Sequence, residues 1–204
     1  NIVGAQYKYI KDNVCQKRFL KNTDRSNSLW MTPIEGSKAL FVTEDPLDAI
    51  AHSQLFPGAR YAYLCTGGTS TKAQREMIHS FSQKFKLPII LGNDNDLAGQ
   101  LENFKLAYHT ANIEYAINSK TQRVLLTVNG AEREWGKDEI VAALQAVMKQ
   151  RPNMILSIPW AKDWNDDLRS SKKSISLRIA ENMARVQIET TKSEQRGMIA
   201  GKLP

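Results

Sequence analysis

The sequence predicts an α/β protein in which a mostly parallel sheet is flanked by helices. Three short apolar runs bounded by turn residues, 39–42, 61–65 and 89–91, are typical of buried strands. Each run is followed by a stretch with the apolar spacing of a helix. This alternation of strand and helix predicts parallel strands joined by right-handed crossovers.

Composition sets broad limits on the protein. The 204 residues are 42% hydrophobic and 24% charged, which is ordinary for a globular protein. No apolar run is long enough to span a membrane, and no signal peptide is recognisable. Two distant cysteines favour a reduced, cytoplasmic setting. Because the first residue is Asn, we expect a fragment of a longer protein that carries other domains.

The net charge of +7 is unevenly distributed. Residues 1–28 carry six Lys/Arg and two Asp/Glu, and residues 169–204 carry eight and three. Residues 29–168 carry fourteen Lys/Arg and sixteen Asp/Glu. Basic ends around a nearly neutral middle favour a polyanionic partner such as nucleic acid. The alternative is that both ends are solvated basic tails.

The first acidic segment follows the strand predicted over 39–42. Pro46 suits the first turn of a helix, with Asp45 as its N-cap. Glu44 then stands at the carboxyl end of the strand, where ligands bind in open α/β sheets. Asp48 follows four residues later and lies back toward Glu44. A helix cap accounts for Asp45 but leaves Glu44 unexplained.

The next strand runs into a Gly/Thr/Ser turn, 66–70, before a helix predicted over 71–85. A turn of this kind at a helix N-terminus offers backbone N–H groups to an anion. Gly67 and Gly68 are therefore candidate phosphate contacts. The spacing is not that of a P-loop, and a plain tight turn with Ser70 as N-cap is equally consistent with it.

The third strand leads directly into a pair of carboxylates, Asp94 and Asp96. In an extended segment residues i and i+2 point the same way, so both carboxylates can face one ion. Mg²⁺ favours one or two carboxylates together with water and phosphate oxygens. Taken alone, such a pair also occurs in ordinary surface turns.

The pattern changes from Ile113 onward. A strand is predicted over 113–117, a hairpin over 123–135 around Asn129-Gly130, and a helix over 136–150. We interpret 111–151 as an insertion in the α/β domain. A further strand and a third acidic turn follow the insertion.

The chain ends are less regular. Residues 1–9 could form an edge strand, whereas 11–27 are polar and basic without a clear period, which favours a loop. We therefore divide the chain into a basic N-terminal extension, 1–38, an α/β domain, 39–168, and a basic C-terminal helix and tail, 169–204.

The ordered set of a glutamate after one strand, a glycine turn, and D-x-D after another strand resembles the Toprim domain of primases and topoisomerases. The segment FVTEDPLD supplies Glu44 and Asp48, and NDNDLAG supplies Asp94 and Asp96. The chain is also similar to Toprim-like domains of plasmid and mobile-element proteins. In those domains a Lys-Asp-Trp-Asn turn closes the domain, as 162–165 would here.

The resemblance implies that Asp94 and Asp96 bind Mg²⁺, with Mn²⁺ as a substitute, and that Glu44 is a general acid/base or a further ligand. It adds Asp48, Asp163 and Asp166 as secondary acids. Candidate contacts to phosphate or nucleic acid are Gly67, Gly68, Lys72, Lys162, Lys17, Arg18 and Arg25. The implied activity is primase-like nucleotidyl transfer on single-stranded DNA, in plasmid replication, mobilization or conjugation.

Other functions stay open on the sequence alone. One is a metal-dependent nuclease, and another is a Toprim module that binds DNA without turnover. A D-x-D glycosyltransferase is a weaker alternative, because it leaves Glu44 and the basic ends unexplained. One departure from the primase pattern is Asp45-Pro46, which stands where a glycine commonly follows the glutamate.

Overall fold

A computed structural model describes residues 6–12 and 14–172, so most of the predicted C-terminal helix and tail lies outside the described residues. The strands are β1 (Gln6–Lys11), β2 (Val14–Phe19), β3 (Trp30–Met31), β4 (Ala39–Thr43), β5 (Tyr61–Cys65), β6 (Ile89–Leu91), β7 (Ile113–Asn118), β8 (Arg123–Val128), β9 (Ala131–Trp135) and β10 (Met154–Leu156). The helices are α1 (Pro46–Leu55), α2 (Lys72–Phe85), α3 (Leu97–Ala107), α4 (Lys137–Gln150) and α5 (164–172).

The central sheet has the strand order β10-β6-β4-β5-β3. Strands β10, β6, β4 and β5 are parallel, and only β3 runs antiparallel to its neighbour β5. Val42 of β4 pairs with Leu64 on one side and with Leu91 on the other. The α/β fold with a mostly parallel sheet is thereby confirmed, and the carboxyl ends of β4, β5 and β6 lie side by side.

Helices cover both faces of this sheet, so its strands are apolar on both sides. Leu40 and Val42 face one core, to which α2, α3 and α4 contribute. Ala39 and Phe41 face a second core beneath α1, and Trp164 of α5 packs there. All five residues of β4 are buried, which explains why its sequence shows an unbroken apolar run rather than an alternating one.

The structure differs from the loop predicted over 11–27. Residues 14–19 form β2, which pairs antiparallel with β1 in a hairpin. The turn passes through Asp12 with a φ of 52°, a conformation that Asp tolerates. The strand was not predicted because the basic residues of 14–19 interrupt the apolar alternation that is typical of a strand. The hairpin extends to the glycine turn after β5, because the Phe19 ring would lie 3.1 Å from a Cβ on Gly67.

Residues 113–150 form the antiparallel sheet β7-β8-β9 and helix α4, and this part of the interpreted insertion 111–151 is called the inserted module below. Asn129 and Gly130 both have positive φ, as a type I′ hairpin turn requires. The predicted hairpin and helix are therefore confirmed. Val124, Leu126 and Ile140 are fully buried in the larger core, so the module packs onto the domain and is not a separate appendage.

His52 of α1 lies inside the second core. Its ring centroid is 3.9 Å from that of Phe41 and 4.7 Å from that of Trp164. Its Nδ1 atom is 3.0 Å from the Tyr63 hydroxyl. Burial lowers the pKa of His52 from 6.5 to about 4, because the charged imidazolium would lose its hydration in this aromatic surrounding.

This lowered pKa predicts a pH dependence of stability. Between pH 6.5 and about 4 the unfolded chain binds a proton at His52 that the folded chain does not bind. Its contribution to the free energy of unfolding therefore declines as the pH falls through this window. We expect urea denaturation of His52→Phe to show a shallower loss of stability over that range than the wild type. Identical slopes for the two proteins would contradict the prediction.

Candidate functional site

Three loops meet at the carboxyl ends of β4, β5 and β6, and backbone hydrogen bonds hold them together. The Gly67 amide donates to the Glu44 carbonyl oxygen at 2.8 Å, and the Gly92 amide donates to the Val42 carbonyl oxygen at 2.8 Å. These bonds continue the strand pairing beyond the sheet. The predicted acids therefore arrive from separate segments at one edge of the sheet.

Asp94 is the electrostatic centre of this edge. Burial is the largest cause that raises the pKa of the half-buried Asp94 to about 7, and the carboxylates of Asp48, Asp96, Glu44 and Asp163 raise it further. These five residues are called the acidic cluster below. The structure thus brings together all of the acids named from the sequence except Asp166.

Asp48 connects the first acidic segment to the third. Its side chain is buried, and burial together with the charges of Asp163 and Asp45 raises its pKa to about 6. The Asn165 side-chain amide donates to Asp48 Oδ1 at 2.8 Å, which favours the ionised carboxylate. A residue 117 positions away in sequence therefore fixes this acid.

Asp96 has a structural role of its own. Its Oδ1 atom accepts a hydrogen bond from the Gly99 amide at 2.9 Å and so caps the N-terminus of α3. Its Oδ2 atom lies 3.8 Å from Lys162 Nζ. One oxygen is therefore engaged by the helix, and the other faces an exposed cation.

The third acidic turn contributes unequally. Asp163 Oδ1 accepts from the Asp166 amide at 2.8 Å at the start of α5, and its charge acts on both Asp48 and Asp94. The Asp166 carboxylate pairs instead with Arg169 at 3.4 Å. Asp166 is not among the acids that shift the pKa of Asp94, so we assign it to the helix rather than to the cluster.

The glycine turn after β5 is filled by the chain's own side chains. The φ values of Gly67 and Gly68 are +74° and +136°, which favour glycine. Arg25 lies against the turn, with Nη2 2.5 Å from where a Cβ on Gly68 would be. The N-cap of α2 is Thr71 and not Ser70, since the Ser70 hydroxyl donates to Glu102 at 2.6 Å.

The other basic candidates lie in different surroundings. Lys72 is exposed and pairs with Glu76 at 3.9 Å. The Arg18 guanidinium lies 5.6 Å from the ring centroid of Tyr9. The side chain of Lys17 is outside the described part of the structure. Lys162 lies beside Asp96, and Arg25 lies against the glycine turn.

Two further residues act on the acidic loop 92–96 without having been predicted to do so. Trp164 donates from its indole nitrogen to the Gly92 carbonyl oxygen at 2.8 Å, and its ring is buried. Lys137 of the inserted module donates to Asn95 Oδ1 at 3.2 Å. The Lys-Asp-Trp-Asn likeness pointed to the segment that contains Trp164. No pattern in the sequence marked Lys137, which is simply the first residue of a helix.

The acidic cluster suits a divalent cation in charge and in donor chemistry. Carboxylate oxygens are hard ligands, and the repulsion that raises the pKa of Asp94 would be relieved by a cation between them. In residues 6–12 and 14–172, however, no group of three or more His, Cys, Asp or Glu side chains is arranged to hold a metal ion. Metal binding would therefore require these side chains to draw together.

Comparison with known families finds a match to part of the chain. Residues 41–124 match a family model described as Toprim-like, and the match includes the acids after β4 and after β6. No curated protein and no solved structure matches the chain. Within the described ranges, no helix has the length and apolar character needed to cross a membrane.

Proposed function

The chain contains a Toprim-like domain, a type of domain that binds metal and acts on nucleic acid, and from this premise we propose primase-like nucleotidyl transfer. The metal would be Mg²⁺ or Mn²⁺, and the template single-stranded DNA. The observation that carries the proposal is the convergence of acids from three segments on Asp94. Such a concentration of negative charge destabilises a protein unless a cation relieves it.

The proposed roles follow from the position of each acid. Asp94 and Asp96 would hold the metal, and Glu44 would serve as general acid/base or as a further ligand. Asp48 and Asp163 add negative charge that favours a cation. When bound, the metal would neutralise charge on the phosphoryl oxygens of the substrate.

Nucleic acid would be held by basic groups around the cluster. Arg25 lies against the glycine turn and Lys162 lies beside Asp96, so both could contact phosphates that reach the acids. The basic chain ends, 1–28 and 169–204, would add contacts of low sequence specificity. We expect DNA binding to weaken steeply as the salt concentration rises.

We also propose the domain organisation predicted from the sequence. The α/β domain would span 39–168 and carry 111–151 as an insertion, between the basic N-terminal extension 1–38 and the basic C-terminal segment 169–204. The family match ends at residue 124, inside β8 of the insertion. The parent protein would be a cytoplasmic plasmid or mobile-element protein that acts in DNA replication, mobilization or conjugation.

A direct assay tests the proposed activity. The chain is incubated with single-stranded DNA, labelled ribonucleotides and Mg²⁺, and we expect short labelled products that disappear when EDTA is added. Glu44→Gln should reduce product formation by about a hundredfold or more, since it removes a charge next to the reacting phosphate. The matched control is Glu35→Gln, an exposed acid that precedes β4 at the opposite end of the strand. Equal activity in Glu44→Gln and the wild type would reject this role for Glu44.

A second candidate is a module that binds DNA and metal without turnover. It is favoured by Asp96, whose Oδ1 is already engaged by the cap of α3 and leaves one oxygen of this carboxylate for a metal. The same assay separates the candidates. Metal-dependent retention of DNA without products indicates a binding module, and shortening of the template indicates a nuclease.

A further inference from the structure

The inserted module contacts the acidic loop through Lys137, the first residue of α4. The Lys137 ammonium lies 3.2 Å from Asn95 Oδ1 and 3.4 Å from the Asn95 carbonyl oxygen. In the part of the chain that the structure describes, both of these hydrogen bonds go to neutral oxygens and not to a carboxylate. Asn95 itself lies between Asp94 and Asp96, so Lys137 acts on the residue that links the two acids.

Asn95 is held from a second side as well. Its amide donates to the Lys162 carbonyl oxygen at 2.7 Å, and its side-chain Nδ2 donates to the Pro159 carbonyl oxygen at 3.1 Å. Together with the two bonds from Lys137, every polar group of Asn95 has a partner. The residue is therefore fixed by two segments that are remote from it in sequence.

The position of Lys137 is itself well defined. Glu139 Oε2 accepts from the Gly136 amide at 2.7 Å and from Arg123 Nη2 at 3.0 Å, which ties the first turn of α4 to β8. One turn further on, Ile140 is fully buried in the core. Because α4 is anchored in this way, the contact of Lys137 with Asn95 couples the position of the inserted module to that of the acidic loop 92–96.

We propose that Lys137 is a positioning residue that holds Asn95 so that Asp94 and Asp96 present their carboxylates together to the metal. Metal affinity then depends on how the inserted module is docked. This inference rests on the proposed function, because it concerns the same metal site. The proposal also predicts the direction in which metal affinity changes when Lys137 is removed. If Lys137 acted only through its positive charge, it would repel the metal, and its removal would strengthen metal binding. Loss of a positioning lysine weakens metal binding instead.

The test compares Lys137→Met with Lys137→Arg in the full chain by calorimetric titration with Mg²⁺ and Mn²⁺. We expect Lys137→Met to raise the Kd by about tenfold, as for the loss of other groups that orient metal ligands. Lys137→Arg should restore most of the affinity, because a guanidinium can donate to both Asn95 oxygens. Lys149→Met, an exposed lysine on the same helix, controls for the lost charge. An unchanged or lowered Kd in Lys137→Met would overturn the proposal.

Hydrogen exchange without metal provides an independent readout. The Asn95 amide should exchange about tenfold faster in Lys137→Met, and at the wild-type rate in Lys149→Met. Faster exchange throughout α4 and β8 would show instead that Lys137 stabilises the module, and the proposal would fail. If the wild type binds no metal, the proposed function fails, and exchange at Asn95 still decides whether Lys137 positions the loop.

Discussion

Replacing Asp94 with Asn is expected to abolish Mg²⁺-dependent activity and, at the same time, to raise the melting temperature of the metal-free protein. Asn keeps the shape of the side chain but removes the charge that Asp48, Asp96, Glu44 and Asp163 oppose. Allowing for solvent screening, we expect a gain on the order of 1 kcal/mol above pH 7. For a chain of this length that is about 2–4 °C in Tm. Activity should fall by at least about a hundredfold.

Thermal denaturation with and without millimolar Mg²⁺ provides the measurement. Mg²⁺ should raise the Tm of the wild type, because a ligand that binds only the folded state stabilises it. The same addition should leave Asp94→Asn almost unchanged. Glu35→Gln, which removes an exposed acid that precedes β4 at the end of the strand opposite Glu44, should behave like the wild type. A full Mg²⁺ response in Asp94→Asn would end the assignment of Asp94 as a ligand.

Asp96 needs a different substitution. Because its Oδ1 caps α3, Asp96→Ala would lose about 1 kcal/mol of helix stability in addition to any effect on metal. Asp96→Ser keeps a capping oxygen and removes the charge, so it isolates the contribution of the carboxylate. A double alanine variant of Asp94 and Asp96 would confuse the two effects.

Gly99→Ala is expected to destabilise the protein and to displace Asp94. A Cβ on Gly99 would lie 2.3 Å from the Asp94 carbonyl oxygen and 2.7 Å from the Asp94 nitrogen. Both are backbone atoms, so the loop that carries Asp94 would have to move as a whole. We expect a loss of about 2–3 kcal/mol, larger than the roughly 1 kcal/mol that alanine gains over glycine within a helix.

Two measurements follow for Gly99→Ala. Its Tm should fall by roughly 4–12 °C, and the remaining folded protein should bind Mg²⁺ weakly or not at all. The matched control is Gly58→Ala, where a Cβ would meet no atom within 4 Å, so its Tm should stay within about a degree of the wild type. A stable Gly99→Ala variant with normal Mg²⁺ binding would show that the loop tolerates the shift.

The strands of the sheet and the acids that follow them could be predicted from the sequence, because each is marked by residues that are neighbours along the chain. The apolar runs of β4, β5 and β6 are buried on both faces, and this burial makes them visible without any alignment. Asp45 was recognised as the cap of α1 from the proline that follows it, and its side chain does accept from the Leu47 amide at 2.9 Å. The order of Glu44 and D-x-D carried the family resemblance, which the match to residues 41–124 confirms.

What the sequence did not indicate depends on contacts between distant segments. Lys137 and Asn95 are 42 positions apart, and no periodicity connects them. β1 overlaps the edge strand predicted over 1–9, but its partner β2 was missed because basic and polar side chains interrupt the apolar alternation there. The need for glycine at position 92 also could not be predicted. A Cβ on Gly92 would lie 2.3 Å from the Phe41 ring, and the sequence does not show that these two residues meet.

The edge strand β10 also bears on how the protein is made. β10 pairs with β6 only after the whole inserted module has been synthesised, and Asn165 and Trp164 reach Asp48 and Gly92 later still. While the nascent chain leaves the ribosome, the acids that follow β4 and β6 are therefore present long before they are held in place. Until β10 arrives, β6 offers its free main-chain groups to any neighbouring strand, which makes this interval the one most open to mispairing.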